Sequence, residues 1–536
     1  MPEPTETTNA TPAARPEPWK PKFNPWAIAV VVAMAAFMEV LDTSIANVAL
    51  PHMAGNLGAS NDESTWVLTS YLVSNAIVLP MSGWLAGLFG RKRFFILCIF
   101  LFTVSSMLCG AAPTLGMLIL FRILQGAGGG GLQPMAQAIL ADTFPPHQRG
   151  LAFAVYGITA VMAPTIGPTL GGWITDNYTW RWIFYINLPV GLLAMFLAYR
   201  MVEDPPYLKR APGSAVRVDF IGISLLSLGI GALQVLLDKG QEDDWFGSHF
   251  IVGLAWIAVI CLTSLVVWEW RHKEPIIDVR LFKYFSFAGA NLMMFVLGVV
   301  LFSSLVMMPQ FLQTLMGYTA ESAGLVLSAS GVLLLFEMPV VGQLTTKIAA
   351  KYIVAFGWFL LAIAMYYSTV RMDLLISFRS AMWLRVAQAS GLGFLFVPIS
   401  LIAYSEVPTE KGNSVSGMVN FMRNIGSSVG TSMVTTLLAR RAQFHQAMLA
   451  SHTTSFDPAL QNQVAGLSRQ LVHSGISTAD AKIHAYGLIY EGMLAQSQTL
   501  AYIDTYFLLA IGASIMFVLA FLVRKNDPRG GPVVME

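Results

Sequence analysis

The stretch FMEVLDTSIANVALP, Phe37 to Pro51, constrains this chain more than any other. It lies in an apolar run that begins near Pro25, and it places two carboxylates, Glu39 and Asp42, where a helix crossing lipid normally carries none. At roughly 100° per residue, Glu39, Asp42, Thr43, Ala46 and Asn47 fall within one arc of about 140°. One polar face therefore runs along an otherwise greasy rod. An ionised side chain at the bilayer centre costs about 2.5–3.5 kcal/mol on insertion scales, so such groups face a protein interior or a water-filled cavity.

The remaining composition agrees. Of 536 residues 55% are hydrophobic and 12% charged, against about 25% charged in soluble domains. The net charge of +2 is near balance, and no basic stripe points to nucleic acid. Cys98, Cys109 and Cys261 sit in separate apolar runs without metal-ligand spacing, so neither a disulfide framework nor a metal site is expected. The His residues form no HExxH pattern, and no nucleophile or cofactor constellation is present. An enzyme is disfavoured, and no cofactor is expected.

Apolar windows of about 20 residues, enough to cross a bilayer core of about 30 Å, begin near Pro25, Thr65, Phe94, Leu115, Leu151 and Trp182. Two more cover 219–237 and 249–269, and six further ones begin near 286, 322, 352, 380, 412 and 501. The expected organisation is a disordered tail over 1–24, a six-helix bundle over 25–202 and two inserted helices over 218–271. A second six-helix bundle over 285–524 contains a long polar connection, 440–499, and a tail follows over 525–536. One set of connections collects Arg91, Lys92, Arg93, Arg149, Lys209, Arg210, Arg217, Arg271, Lys273, Arg280, Lys283, Lys347, Lys351 and Lys411. The opposite loops carry few cations, among them Arg181, Lys239, Arg371 and Arg379. By the positive-inside bias both termini are expected in the cytoplasm.

A weak repeat supports two halves. Pro51, Gly58, Pro80 and Gly83 recur as Pro309, Gly317, Pro339 and Gly342. Arg122, Gln125 and Pro134 recur as Arg385, Gln388 and Pro398, and Gly167 and Gly171 as Gly426 and Gly430. Their order and near-constant spacing exceed what scattered Gly and Pro would give, and repeats are common in transporters.

In the fourth span Arg122, Gln125, Gly129, Gln133 and Gln137 share a face. A buried guanidinium keeps its proton and must find acceptors. It either answers a carboxylate or a substrate, or is structural and bonded to carbonyls; the acids of the first span favour the former. Asp42, Glu39 and Arg122 are thus the leading proton-coupling candidates, with Glu337 in the tenth span and Asp504 at the mouth of the last as secondary ones. Asp504 has the plainer alternative of an interfacial carboxylate. Arg385 and Arg423 are further charges within spans. Thr43, Asn47, Gln125, Gln133, Asn291 and Met294 are candidates to line a substrate pocket, although for Met ordinary packing is the simpler reading. The run GAGGGG, Gly126–Gly131, fits G-x-G-x-x-G, but no strand precedes it, so close helix packing is expected instead of nucleotide binding. APTIGPTLGG, with Pro164, Gly167, Pro168, Gly171 and Gly172, reads as a tightly packed, bent helix. The cationic turn ending GWLAGLFGRKR, Gly83–Arg93, has a topology anchor as its plain reading.

Taken together, FMEVLDTSIANVALP, ILFRILQGAGGGG, APTIGPTLGG, WRWIFYINLPVG, LLDKGQEDDWF and PQFLQTLMGYTAESAG resemble the 14-span drug:proton antiporter branch of the major facilitator superfamily, most closely EmrB-type multidrug exporters. The resemblance implies an all-α integral membrane fold of 14 transmembrane helices, two six-helix halves plus two inserted helices, with Asp42, Glu39 and Arg122 as coupling residues. It implies export of hydrophobic or amphipathic drug-like compounds across the bacterial inner membrane, coupled to protons. A periplasmic membrane-fusion adaptor and an outer-membrane channel are the implied partners. One departure stands out: Gly87 and Leu88 occupy the places of the acidic and basic pair in the superfamily's loop motif, so the salt bridge attributed to that acid is not expected there.

Burial and a nearby arginine act oppositely on an acid's charge, which suits Asp42 or Glu39 to proton exchange. A proton from outside would neutralise the acid, loosen its hold on substrate and favour reorientation of the halves. A solute importer of the same fold and a non-transporting membrane receptor are the competing readings.

Overall fold

The computed structural model describes residues 21–205, 218–272, 275–451 and 456–524. Lys209, Arg210, Arg217 and Lys273 of the cationic loops lie outside the described residues, as do positions 1–20 and the tail 525–536. Every regular element among the described residues is helical. The first half comprises α1 (Pro25–Leu57), α2 (Asn61–Phe89), α3 (Arg91–Ala111), α4 (Leu115–Gly129), α5 (Leu132–Thr143), α6 (Arg149–Asn177), α7 (Trp182–Tyr185) and α8 (Asn187–Met201). The inserted pair is α9 (Phe220–Lys239) and α10 (His249–Arg271). The second half comprises α11 (Phe285–Thr314), α12 (Ala320–Leu344), α13 (Ala350–Arg371), α14 (Phe378–Tyr404), α15 (Gly412–Ser451), α16 (Pro458–His473) and α17 (Thr478–Ala520).

Local chemistry sets the helix ends. Pro25 starts α1 behind an Asn24 cap, and Gly58 ends it at φ 65°, a left-handed value that glycine adopts without a Cβ clash. Ser60 and Glu63 close a reciprocal capping box at the start of α2.

Among the described residues thirteen helices are long and apolar enough to cross a membrane, α4 with α5 and α7 with α8 each counting as one span. The span expected near 412 is α15, which hydropathy does not flag because its buried face carries Asn413, Ser416, Asn420 and Arg423. It is nevertheless packed against α11, α2 and α17. The apolar window near 501 lies in the later part of α17, whose helix begins at Thr478 because the polar connection is itself largely helical.

Within the first half α1 packs along α6, and within the second α11 packs along α15. The recurring glycines explain both contacts. A Cβ on Gly167 would stand 2.4 Å from Ser44 Oγ, and one on Gly171 3.1 Å from the Ile45 carbonyl. A Cβ on Gly426 would stand 2.1 Å from the Phe295 carbonyl, and one on Gly430 2.6 Å from that of Val299. Gly172 has nothing within 4 Å and takes no part. Pro168 has no N–H for the Pro164 carbonyl one turn back, and Ser44 Oγ of α1 donates to that carbonyl instead at 3.2 Å. The Gly-Pro segment of α6 thereby fixes the helix that carries Glu39 and Asp42. GAGGGG does the same for α4: Cβ atoms at Gly126 and Gly128 would meet backbone of α2 and α3 at 2.4 and 2.6 Å.

The halves meet along α6–α12 and α2–α15, and α9 lies against both α2 and α15. Because the α11–α15 contact is backbone on backbone, Gly426→Val is expected to push these helices apart and reduce recovery of folded, monodisperse protein in detergent. Gly172→Ala is expected to behave as wild type in the same size-exclusion and thermal-unfolding assays.

Candidate functional site

Asp42 and Arg122 form a buried ion pair, Nη1 to Oδ2 at 2.6 Å, with side chains 1% and 0% exposed. Several neighbours support it. Gln125 Nε2 donates to Asp42 Oδ1 at 2.9 Å and Asn187 Nδ2 donates to the same oxygen at 2.6 Å. Arg122 also donates Nε to the Val67 carbonyl at 3.1 Å and Nη1 to Gln125 Oε1 at 2.9 Å. The Tyr71 ring lies 4.3 Å from the guanidinium carbon, a cation–π contact that suits a dry site. Asn187 opens α8 at the break after α7 and also donates to Ser106 Oγ at 3.0 Å.

Glu39, one turn earlier on α1, is equally buried but has different partners. Tyr71 Oη and Asn75 Nδ2 donate to Oε1, each at 3.1 Å, and Gln133 Nε2 donates to Oε2 at 2.5 Å. Gly129 makes room for this: a Cβ there would lie 2.5 Å from Tyr71 Oη. Asp42 directly faces a cation, whereas every hydrogen-bond donor to Glu39 is uncharged. Two carboxylates three residues apart thus sit in unlike surroundings, the arrangement that separates the roles of paired acids.

The other candidates are placed unequally. Thr43 is half-buried and donates to the Val40 carbonyl at 2.8 Å, and Asn47 is exposed on the continuation of the same face. Asn291 and Met294 are buried in the second half, and the Asn291 amide is spent on the Phe287 carbonyl at 2.8 Å. Glu337 is buried beside Gly393, its oxygens without a hydrogen-bond partner among the described residues. Asp504 is partly exposed and bonded to Arg441 Nη2 at 2.5 Å and His445 Nε2 at 2.7 Å on α15. Neither Glu337 nor Asp504 joins the Glu39–Asp42 cluster.

The repeat is not chemically symmetric. Arg385 and Gln388 mirror Arg122 and Gln125, but Arg385 Nη1 meets Ser304 Oγ at 3.0 Å where Arg122 meets a carboxylate. The cationic turn holds more than an anchor: Arg91 is 2% exposed and ion-paired with Asp142 of α5. Tyr71, Asn75 and Asn187 were not singled out from the sequence. A Tyr and an Asn four residues apart in an apolar span are the trace they leave.

The Major Facilitator Superfamily profile matches residues 32–431, and the chain belongs to that family. Multidrug export protein EmrB of Haemophilus influenzae is 38% identical over 435 residues, 81% of this chain and 84% of that protein. Fatty acid resistance protein FarB of Neisseria gonorrhoeae is 38% identical over 453 residues, 84% of this chain and 87% of that one. The solved structure of the proton:xylose symporter XylE matches with a TM-score of 0.60 at 13% identity, covering 94% of this chain and 97% of that one, a likeness of fold alone. The chain is therefore a multi-pass membrane transporter related to EmrB-type exporters, and not an enzyme.

Asp42→Asn removes the charge that answers Arg122 and leaves a buried cation unpaired, a loss worth about 3–5 kcal/mol at such sites. The variant is expected to unfold at lower temperature in detergent than wild type, and adding Arg122→Gln to recover part of the difference.

Proposed function

We propose that this transporter is a drug:proton antiporter that exports hydrophobic or amphipathic toxic compounds across the bacterial inner membrane, with both termini in the cytoplasm. The observation that carries this reading is the pair of buried acids on α1 with unequal partners. Neutralising Asp42 would strand the Arg122 charge that it contacts directly, whereas Glu39 contacts only the uncharged side chains of Tyr71, Asn75 and Gln133. Glu39 is therefore the proton carrier, and Asp42 with Arg122 holds α1 against α4. Thr43 and exposed Asn47 give Glu39 a polar route toward the end of α1 opposite its N-terminus.

A proton reaching Glu39 by that route removes its charge and weakens its hold on a cationic or hydrogen-bonding cargo, and the halves reorient. A membrane potential adds about 2.3 kcal/mol per charge per 100 mV. The relatives are named for multidrug export and fatty acid resistance, which favours apolar or amphipathic cargo. In inverted vesicles, gradient-driven uptake of a hydrophobic cation is expected from wild type and abolished by an uncoupler. Glu39→Gln is expected to fall to the level of protein-free vesicles. Wild-type rates from that variant would overturn the reading, and transport in the opposite sense would favour an importer.

The same reading includes an adaptor and an outer-membrane channel. With 40 and 43 residues, α15 and α17 are about 60 and 65 Å long, about twice the hydrocarbon thickness. Their surplus, with α16 packed on α17, forms a helical hairpin exposing Phe444, Met448, Ile483, Tyr486 and Tyr490. Replacing residues 456–476 with a short Gly/Ser linker is expected to leave vesicle transport intact while removing drug resistance in whole cells.

A further inference from the structure

The cluster around Glu39 does not end in the first half. Gln133, whose Nε2 donates to Glu39 at 2.5 Å, accepts on its Oε1 a hydrogen bond from Arg423 Nη2 of α15. One amide therefore stands between a carboxylate of the first half and a guanidinium of the second. Its dipole is aligned with both, donor toward the anion and acceptor toward the cation, the sense in which successive hydrogen bonds strengthen one another.

This bridge lies on the seam where the two halves meet. Tyr156 Oη of α6 is 3.2 Å from Gln133 Oε1 and 2.9 Å from Asn420 Oδ1, and Asn420 Nδ2 donates to Gln137 Oε1 at 2.7 Å. Toward the end where α2 finishes and α15 begins, a Cβ on Gly83 would lie 3.0 Å from Ser414 backbone, and one on Gly342 2.9 Å from the Gly150 carbonyl. The Phe153 and Tyr404 rings lie 5.7 Å apart across the same seam. Among all these cross-half contacts, Arg423 alone carries charge.

The other ionisable groups facing Glu39 and Arg423 are Asp42 on α1, Tyr71 on α2, Arg122 on α4 and Tyr156 on α6. Asp42 and Arg122 answer each other, and the two tyrosines are neutral donors. Phe396 of α14 lies 5.5 Å from Arg423 and offers only its ring face. Glu39 is therefore the charge in the first half that Arg423 feels.

We propose that Arg423 is the positioning residue through which the proton on Glu39 controls closure of this end. While Glu39 is ionised, attraction across Gln133 holds α15 against α5 and α6. Once Glu39 takes a proton, Arg423 is a buried cation with no opposite charge, and it regains hydration when the halves part. Proton arrival thus releases the seam, the step an exchanger needs to turn toward the cytoplasm. The inference rests on Glu39 being the proton carrier.

The test uses the full chain with Cys98, Cys109 and Cys261 replaced by Ser and spin labels at Phe89→Cys and Glu410→Cys, exposed positions on either half beside the closed end. Inter-label distances by pulsed electron resonance are followed from alkaline to acid pH. Wild type is expected to move from short to long distances on acidification, by about fivefold or more in the population ratio. Glu39→Gln and Arg423→Gln are expected to show the long distance at every pH, and Arg423→Lys to retain the shift. Gln133→Leu, which removes the bridge and leaves both charges, is expected to lose it as well and serves if Arg423→Gln does not fold. A wild-type distance that ignores pH, or a wild-type shift in both Arg423→Gln and Gln133→Leu, would overturn the proposal. If that shift persists while Glu39→Gln has lost gradient-driven transport, the coupling role fails and the antiport reading stands. Wild-type transport from Glu39→Gln makes the antiport reading itself the one that fails.

Discussion

A full charge pair placed where lipid surrounds the protein can persist only if everything around it is arranged to keep it. The Asp42–Arg122 contact recruits Gln125, Asn187, the Val67 carbonyl and the Tyr71 ring, which come from α4, α8 and α2. Each of these helices must approach closely for its donor to reach, and the glycines of α4 and α6 permit that approach. The first half is thus assembled around one electrostatic requirement, and its small residues are consequences of that requirement as much as of helix packing.

The second half repeats the scaffold without the acid. Arg385 and Gln388 keep the spacing of Arg122 and Gln125, and Gly426 and Gly430 press α15 onto α11 as Gly167 and Gly171 press α6 onto α1. Ser304 stands where a counter-ion would be. Among the described residues the neighbouring pair of buried carboxylates lies in one half, and the other half meets it through Arg423 and Gln133.

Much of this was legible in the residues. The helical period put Glu39 and Asp42 on one arc, and the shared face of Arg122, Gln125 and Gln133 pointed to their counterparts, because a buried charge in lipid admits few solutions. The spacing of Gly167 and Gly171 foretold close packing but not its partner, and Gly172 beside them does nothing comparable. What stayed hidden is what depends on three dimensions. Asn187 matters because a helix breaks just before it, and Arg423 because α15 crosses to α5, which no spacing along the chain reveals. The exact start of α17 at Thr478 was not legible, because the polar helix ahead of the apolar window near 501 carries no hydropathy signal.

The two seams between the halves are not alike. Along α2 and α15, α9 lies over the junction: Gly231 faces Val73 and Ile77, Gln234 accepts from Ser428 at 3.0 Å, and Asp238 accepts from Thr69. Beyond α9, Trp245 Nε1 donates to Thr436 Oγ1 of α15 at 3.1 Å. Along α6 and α12 no inserted helix intervenes among the described residues. A molecule dissolved in the acyl chains therefore meets a sheathed wall on one flank and a bare joint on the other, so the bilayer has a front and a back to this protein.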